Sequence, residues 1–287
     1  YMKDVDGEMP ISSVLGEPRA GFSRHSFRGG NFFVARMFNR YRDELGVEAL
    51  EQELDSAAQQ TLKHLQSDAA RLTVIEAKVV GERLEATLEL ENLAGHKLPT
   101  AYPSRRVWLR VVVNDSGGNT IFESGGFSQD GSIEGNDNDA DPQRFEPHYQ
   151  EIDSPEQVQI YEVMMADVNG ALTTGLLTGA KFVKDNRVLP LGFDKTTAIE
   201  DIAPRGKVEE DTDFVGAKDR IRYLIALKEA KGPYDLKVEA WYQPISYRWA
   251  QNLRSVESFV TTRFGSYYDS MAGFSATILA RTAVTVP

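Results

Sequence analysis

Two hydrophobic periods divide the chain. From Asn31, apolar residues recur at three- and four-residue steps: Phe32, Phe33, Ala35, Met37, Phe38 and Tyr41, then, past Gly46, Leu50, Leu54, Ala57, Leu62, Leu65 and Ala69. Side chains so spaced share one face of a helix. The pattern predicts two helices, or one broken helix, over 31–70. Asn31 is suited to the N-cap, and the acidic residues from Glu48 to Glu53 suit the positive end of the second helix. The apolar stripe calls for a partner surface, most simply a face of the sheet that follows. From Arg71 the period becomes two. Leu84, Ala86, Leu88 and Leu90 alternate with Glu85, Thr87, Glu89 and Glu91, and Val107, Leu109, Val111 and Val113 alternate with Trp108, Arg110, Val112 and Asn114. Such alternation marks strands with one buried face. Further strands are expected over 72–80, 120–123, 158–165, 181–183, 221–227, 236–242 and 276–286, and Asp115-Ser116-Gly117-Gly118 is a hairpin turn.

These elements predict a mainly β protein. Its body over 71–287 reads as an immunoglobulin-like antiparallel β-sandwich with long insertions, preceded by an extended arm over 1–30 and the helical lead-in over 31–70. No cysteine pair pins the two sheets. Buried tryptophans, with Trp108 and Trp241 as candidates, supply that packing instead. A helical stretch over 247–259, carrying Trp249, Leu253 and Val256, is placed to cap one open end.

Composition narrows the function. At 287 residues, with 41% hydrophobic and 10% aromatic content, the chain can fill a real core. A formal charge of -11 argues against non-specific nucleic-acid binding, which needs a surplus of Lys and Arg. The longest apolar runs fall far short of the roughly 20 residues that cross a bilayer, so no helical membrane span is expected. Tyr1 in place of Met suggests a processed or trimmed protein. There is no nucleophile elbow, phosphate-binding glycine loop or dinucleotide fingerprint, and no thiol to act as nucleophile or zinc ligand. Nothing makes a positive case for an enzyme.

Candidate chemistry gathers in the acidic insertion. Between Asp130 and Asp153 stand eight carboxylates and a single Arg144. Like charges so crowded must be solvated, paired or bridged by a cation. Asp137, Asn138, Asp139 and Asp141 offer the oxygen ligands that calcium takes, although Pro142 and His148 stand where an EF-hand loop needs Gly and Glu. The rival reading ties this loop down with Arg105 and Arg106. His148, at the end of the insertion, is a further candidate metal ligand; with His96 and a carboxylate such as Glu146 it would form a transition-metal or haem-facing site. Met37 reads as core and His64 as a surface residue near a helix C-terminus. Asp185 and Asn186 have the chemistry of a tight Asx turn.

One stretch carries more than a connector needs. Between two predicted strands, Asn92-Leu-Ala-Gly95-His96-Lys97-Leu98-Pro99-Thr100 is followed by Arg105-Arg106-x-Trp108-Leu109 and, a strand later, Phe122-Glu123-Ser124-Gly125-Gly126. This pattern resembles the non-haem C-terminal portion of bacterial multihaem c-type cytochromes. Arg24-His25-Ser26-Phe27 with Gly29-Gly30-Asn31, Lys184-Asp185-Asn186-Arg187 with Leu189-Pro190, and Tyr242-Gln243-Pro244-Ile245 resemble the same proteins, so the likeness covers most of the chain. It implies a haem-free accessory domain of a periplasmic or extracellular electron-transfer protein, packing on a haem-bearing segment or docking a redox partner. It also implies His25, and with it His96, as residues facing haem iron. Covalent haem c needs Cys-x-x-Cys-His, which this chain lacks, so haem would belong to another segment. The alternative is a stand-alone, calcium-supported binding module of β-sandwich type.

Overall fold

The computed structural model describes residues 4–10, 12, 15–23 and 28–287. Two compact units divide within one helix, at His64 and Leu65. The first unit carries strands β1 (Asp4–Pro10) and β2 (Pro18–Ser23), an antiparallel pair with largely exposed side chains. The sequence predicts only an extended arm there; the pairing escapes notice because it buries no apolar face. Helices α1 (Phe32–Arg40), α2 (Arg42–Leu45) and α3 (Glu51–Asp68) follow, where the sequence predicts two helices or one broken helix; α2 is a single turn one residue beyond α1. Asn31 caps α1, its side chain accepting the Val34 N–H at 3.0 Å. The break after α2 falls at Gly46, whose φ of 61° is a left-handed conformation that favours glycine. Phe32, Phe33 and Met37 are buried, as their spacing predicts.

The second unit is mainly β. Strands β3 (Ala70–Val80), β4 (Arg83–Asn92), β5 (Arg106–Asn114) and β6 (Thr120–Ser124) come first. The insertion after β6 holds a single helical turn, α4 (Asp137–Ala140), and leads to β7 (Glu151–Ile152), β8 (Ile160–Tyr161), β9 (Val163–Ala166), β10 (Leu172–Thr173) and β11 (Lys181–Asp185). Then come β12 (Lys218–Ala226), β13 (Tyr234–Gln243), α5 (Tyr247–Leu253), α6 (Phe259–Met271) and β14 (Thr277–Val286).

One sheet has the order β3-β4-β12-β7 and the other β14-β13-β5-β6, with β8 also on β5. All these pairings are antiparallel except β7 on β12, a two-residue parallel contact. Strands β9, β10 and β11 form a small third sheet. Alternation decides which face is buried. Leu84, Ala86, Leu88 and Leu90 of β4 and Ile221, Tyr223 and Ile225 of β12 are inside, as are Leu109, Val111 and Val113 of β5 and Leu236, Val238 and Ala240 of β13. The two faces touch where the Phe122 ring meets Tyr223 edge-on, at 6.2 Å. Each large apolar side chain so buried stabilises the fold by about 1.5–3 kcal/mol.

The opposite face of β5 is covered too. Trp108 is fully buried there with Ile133, Val158 and Ile160, and stacks on Trp241 at 5.8 Å. The acidic insertion therefore supplies a second small core. That is why this strand is apolar on both faces near its start.

Candidate functional site

The loop between β4 and β5 is built around Asn92. Its amide nitrogen donates to the carbonyls of His96 at 2.7 Å, Val188 at 3.0 Å and Leu189 at 3.2 Å, while its oxygen accepts the Ala94 N–H at 2.8 Å. A main-chain bridge between Leu98 and Val188 continues the contact. Lys97 then reaches Asp185 at 2.7 Å, and Arg187 grips the same carboxylate at 2.7 and 2.8 Å. Burial alone would raise the Asp185 carboxyl, but Arg187 and Lys97 outweigh it and hold the group below its ordinary range. Asp185 thus serves an ion-pair cluster as well as the Asx turn that the sequence suggests, its Oδ1 accepting the Arg187 N–H at 3.4 Å. His96 itself is exposed.

At the far end of the same loop, Arg106 binds Asp139 through two bonds of 2.8 and 2.9 Å, with the two side chains 2% and 3% exposed. Its remaining donors reach Gln243 at 2.8 Å and the Gly131 carbonyl at 3.3 Å. Gln243 in turn donates to Gly131 and Ser275. Burial alone would lower the Arg106 guanidinium, but the Asp139 carboxylate outweighs it and raises the group above its ordinary value, so the buried charge is paired.

The four residues that suggested calcium each have a protein partner instead. Asp139 is taken by Arg106 and the Ile133 N–H, and Asp137 pairs with Arg144 at 2.6 Å. Asn138 donates to the Arg144 carbonyl, and Asp141 accepts the Gln143 N–H. Among the described residues, no three of the insertion's carboxylates bring ligand atoms within 4.8 Å of one another. Arg106 ties the loop down, as one reading of the sequence has it, whereas Arg105 turns instead to the Thr100 carbonyl.

His148 does not meet His96 or Glu146. Glu146 is buried on Tyr149, which donates to it at 2.7 Å. The His148 ring lies between the sheets, with Nε2 2.9 Å from Asp211 and 3.8 Å from Asp219, and with Phe214 edge-on at 5.4 Å. Nδ1 faces the amide nitrogens of Gln159 at 2.9 Å and Asn186 at 3.2 Å. Asp219 accepts the Tyr161 hydroxyl at 2.7 Å. His148, Asp211 and Asp219 form the one group of three such side chains among the described residues that crowds within 4.8 Å. Burial lowers the imidazole and raises the Asp219 carboxyl well above the carboxylate range.

Sequence reasoning misses Asp211 and Asp219, which lie 63 and 71 residues beyond His148. A signal for Asp219 exists. It shares the period-two phase of Ile221, Tyr223 and Ile225, so a carboxylate stands on the buried face of its strand. Asp211, on a loop, carries no such mark.

The sequence matches no family model and no curated protein. Among solved structures, a penta-heme cytochrome c552 from Thermochromatium tepidum is similar. The likeness has 15% identity and a TM-score of 0.47, over 93% of this chain and 44% of that one. The chain thus spans less than half the length of that cytochrome.

With no cysteine, the chain offers no thioether attachment for haem. Met37 is core and His96 is a loop residue on the surface. The residues described here do not fit a covalent haem site. His25 lies outside the described residues. No described helix is long and apolar enough to cross a membrane.

Proposed function

We propose that this chain is a haem-free structural portion of a multihaem c-type cytochrome-like electron-transfer protein, located in the periplasm or outside the cell, that packs on the haem-bearing segment or docks a redox partner. The observation that carries this reading is the meeting of the residues that bear the resemblance. Asn92, Lys97 and Arg106 come from one stretch, Asp185, Asn186 and Arg187 from a second, and Gln243 from a third. Their polar atoms bond across those stretches and to the insertions between them. Residues engaged in this way build a frame rather than process a substrate.

Such a frame has a physical use beside haem. It excludes water and holds charges still, and both burial and nearby charge set a haem's reduction potential. The sandwich supplies rigid faces, and its loops carry fixed ion pairs of both signs.

An absorption spectrum, oxidised and reduced, of the protein purified from its natural source tests the reading. A Soret band with sharp reduced bands that survives acid-acetone extraction supports it. A colourless preparation overturns it.

A further inference from the structure

Two carboxylates and an imidazole buried together require either a cation or a proton. The hydrogen bonds around His148 decide between them. Asn186 accepts the Glu162 N–H on its oxygen at 3.0 Å and donates to the Ile160 carbonyl at 2.8 Å, so its amide cannot turn over without placing donor against donor and acceptor against acceptor. Gln159 is fixed likewise, its oxygen accepting the Tyr149 N–H at 2.9 Å. Both amides therefore present N–H groups to His148 Nδ1. Nδ1 must accept, so Nε2 carries the hydrogen and donates it to Asp211.

This arrangement opposes a metal ion. A cation on Nε2 would send the ring proton to Nδ1, where metal-bound histidines normally meet an acceptor. Here that proton would point at two fixed donors. Asp219 is left without a compensating cation. Its Oδ2 takes the Tyr161 hydroxyl, while its Oδ1 is fully buried and has no hydrogen-bond partner. The charged groups around it are otherwise engaged: Lys184 is on Glu162, Arg220 is on Glu89, and Lys195 is on the Asp211 main-chain carbonyl. Asp211 and Asp213 add charge of the wrong sign. A buried carboxyl so placed is far better accommodated as the neutral acid.

We propose that His148 is the neutral Nε2–H form bonded to Asp211 and that Asp219 beside them is the neutral acid, so that the three pack without repulsion and the loop over 207–217 is released when Asp219 ionises. Asp219 is fixed in β12 between two strands, so the movable partner is Asp211. That residue organises its loop by accepting the Asp213 and Phe214 N–H groups, and Phe214 is fully buried against the His148 ring. Ionising Asp219 sets two carboxylates beside one imidazole and drives the loop outward.

Nitrogen-correlated NMR of the whole chain at neutral pH reads the tautomer directly. The expected result is a protonated Nε2 and an accepting Nδ1, unchanged by added zinc, together with an Asp219 side-chain carbon shift typical of the acid. Amide exchange over 211–217, corrected for intrinsic rates, should lose up to about tenfold protection per pH unit once Asp219 ionises. Asp219→Asn should abolish that loss. An Nδ1–H tautomer, stoichiometric zinc binding that removes the Nε2 proton, an ionised Asp219 at neutral pH, or unchanged exchange behaviour in Asp219→Asn each overturns the proposal. The two wild-type NMR readings decide the matter if that variant does not fold.

Discussion

Arg106 and Asp139 join the first strand residue after the central loop to the heart of the acidic insertion, through paired bonds of 2.8 and 2.9 Å buried from water. Removing Asp139 leaves a guanidinium charge stranded. Asp139→Ala should cost about 3–5 kcal/mol, or roughly 6 to 20 °C in melting temperature. Replacing both partners with apolar residues should not restore stability, because Gln243 and the Gly131 carbonyl would still lose bonds from Arg106. Thermal melts of the two single variants and the double variant check both statements.

The same pair bears on calcium. With Asp139 held by Arg106 and Asp137 by Arg144, a cation would have to break existing bonds before making new ones. Millimolar calcium, or a chelator, should therefore leave the melting temperature unchanged. A clear rise with calcium would show that the insertion rearranges around the ion.

Asn92 carries the loop in another way, bonding three carbonyls and one N–H. Asn92→Ala orphans several of these groups and should cost on the order of 3 kcal/mol, with Asn92→Asp worse because it turns a carboxylate toward carbonyl oxygens. Denaturant unfolding of the two variants measures the difference.

The pH profile of stability should have two opposed contributions. Burial holds His148 below its ordinary value of 6.5, so the unfolded chain binds that proton more readily. Its contribution is present above pH 6.5 and is lost as pH falls through the folded value. Asp219 is raised above its ordinary 3.8, so its contribution is complete below that pH and is lost as pH rises through the folded value. As pH falls below 6.5 the two contributions oppose one another, and His148→Gln, which removes the destabilising one, should gain melting temperature relative to the wild type on acidification.

Much of the frame is legible in the sequence, because half-buried strands alternate and β4, β5, β12 and β13 all do so. Where one side of an element is not uniformly apolar, the reading weakens. Helix α6 begins with Phe259 and Val260 exposed and ends with Tyr267, Tyr268 and Met271 buried, so no stripe runs its length. The expected helix over 247–259 is really α5 and the turn before α6. The long strand expected over 158–165 splits into β8 and β9, which pair in different sheets.

The buried chemistry was harder to see for a topological reason. Arg106 and the acidic loop could be matched by charge alone, since one basic pair faces many carboxylates. His148 draws its neighbours from β12, from the segments at 159 and 186 and from the loop at 211, and no spacing rule connects them. Only Asp219 betrays itself, as a carboxylate in phase with an apolar face.

Mass mapping of the polypeptide isolated from its natural source tests the central claim most directly. If the chain is the haem-free portion of a multihaem protein, peptides from these residues will carry no haem, while peptides bearing covalent haem will belong to the same polypeptide or to a tightly copurifying partner. A natural polypeptide and complex that yield no haem-bearing peptide at all would contradict that claim.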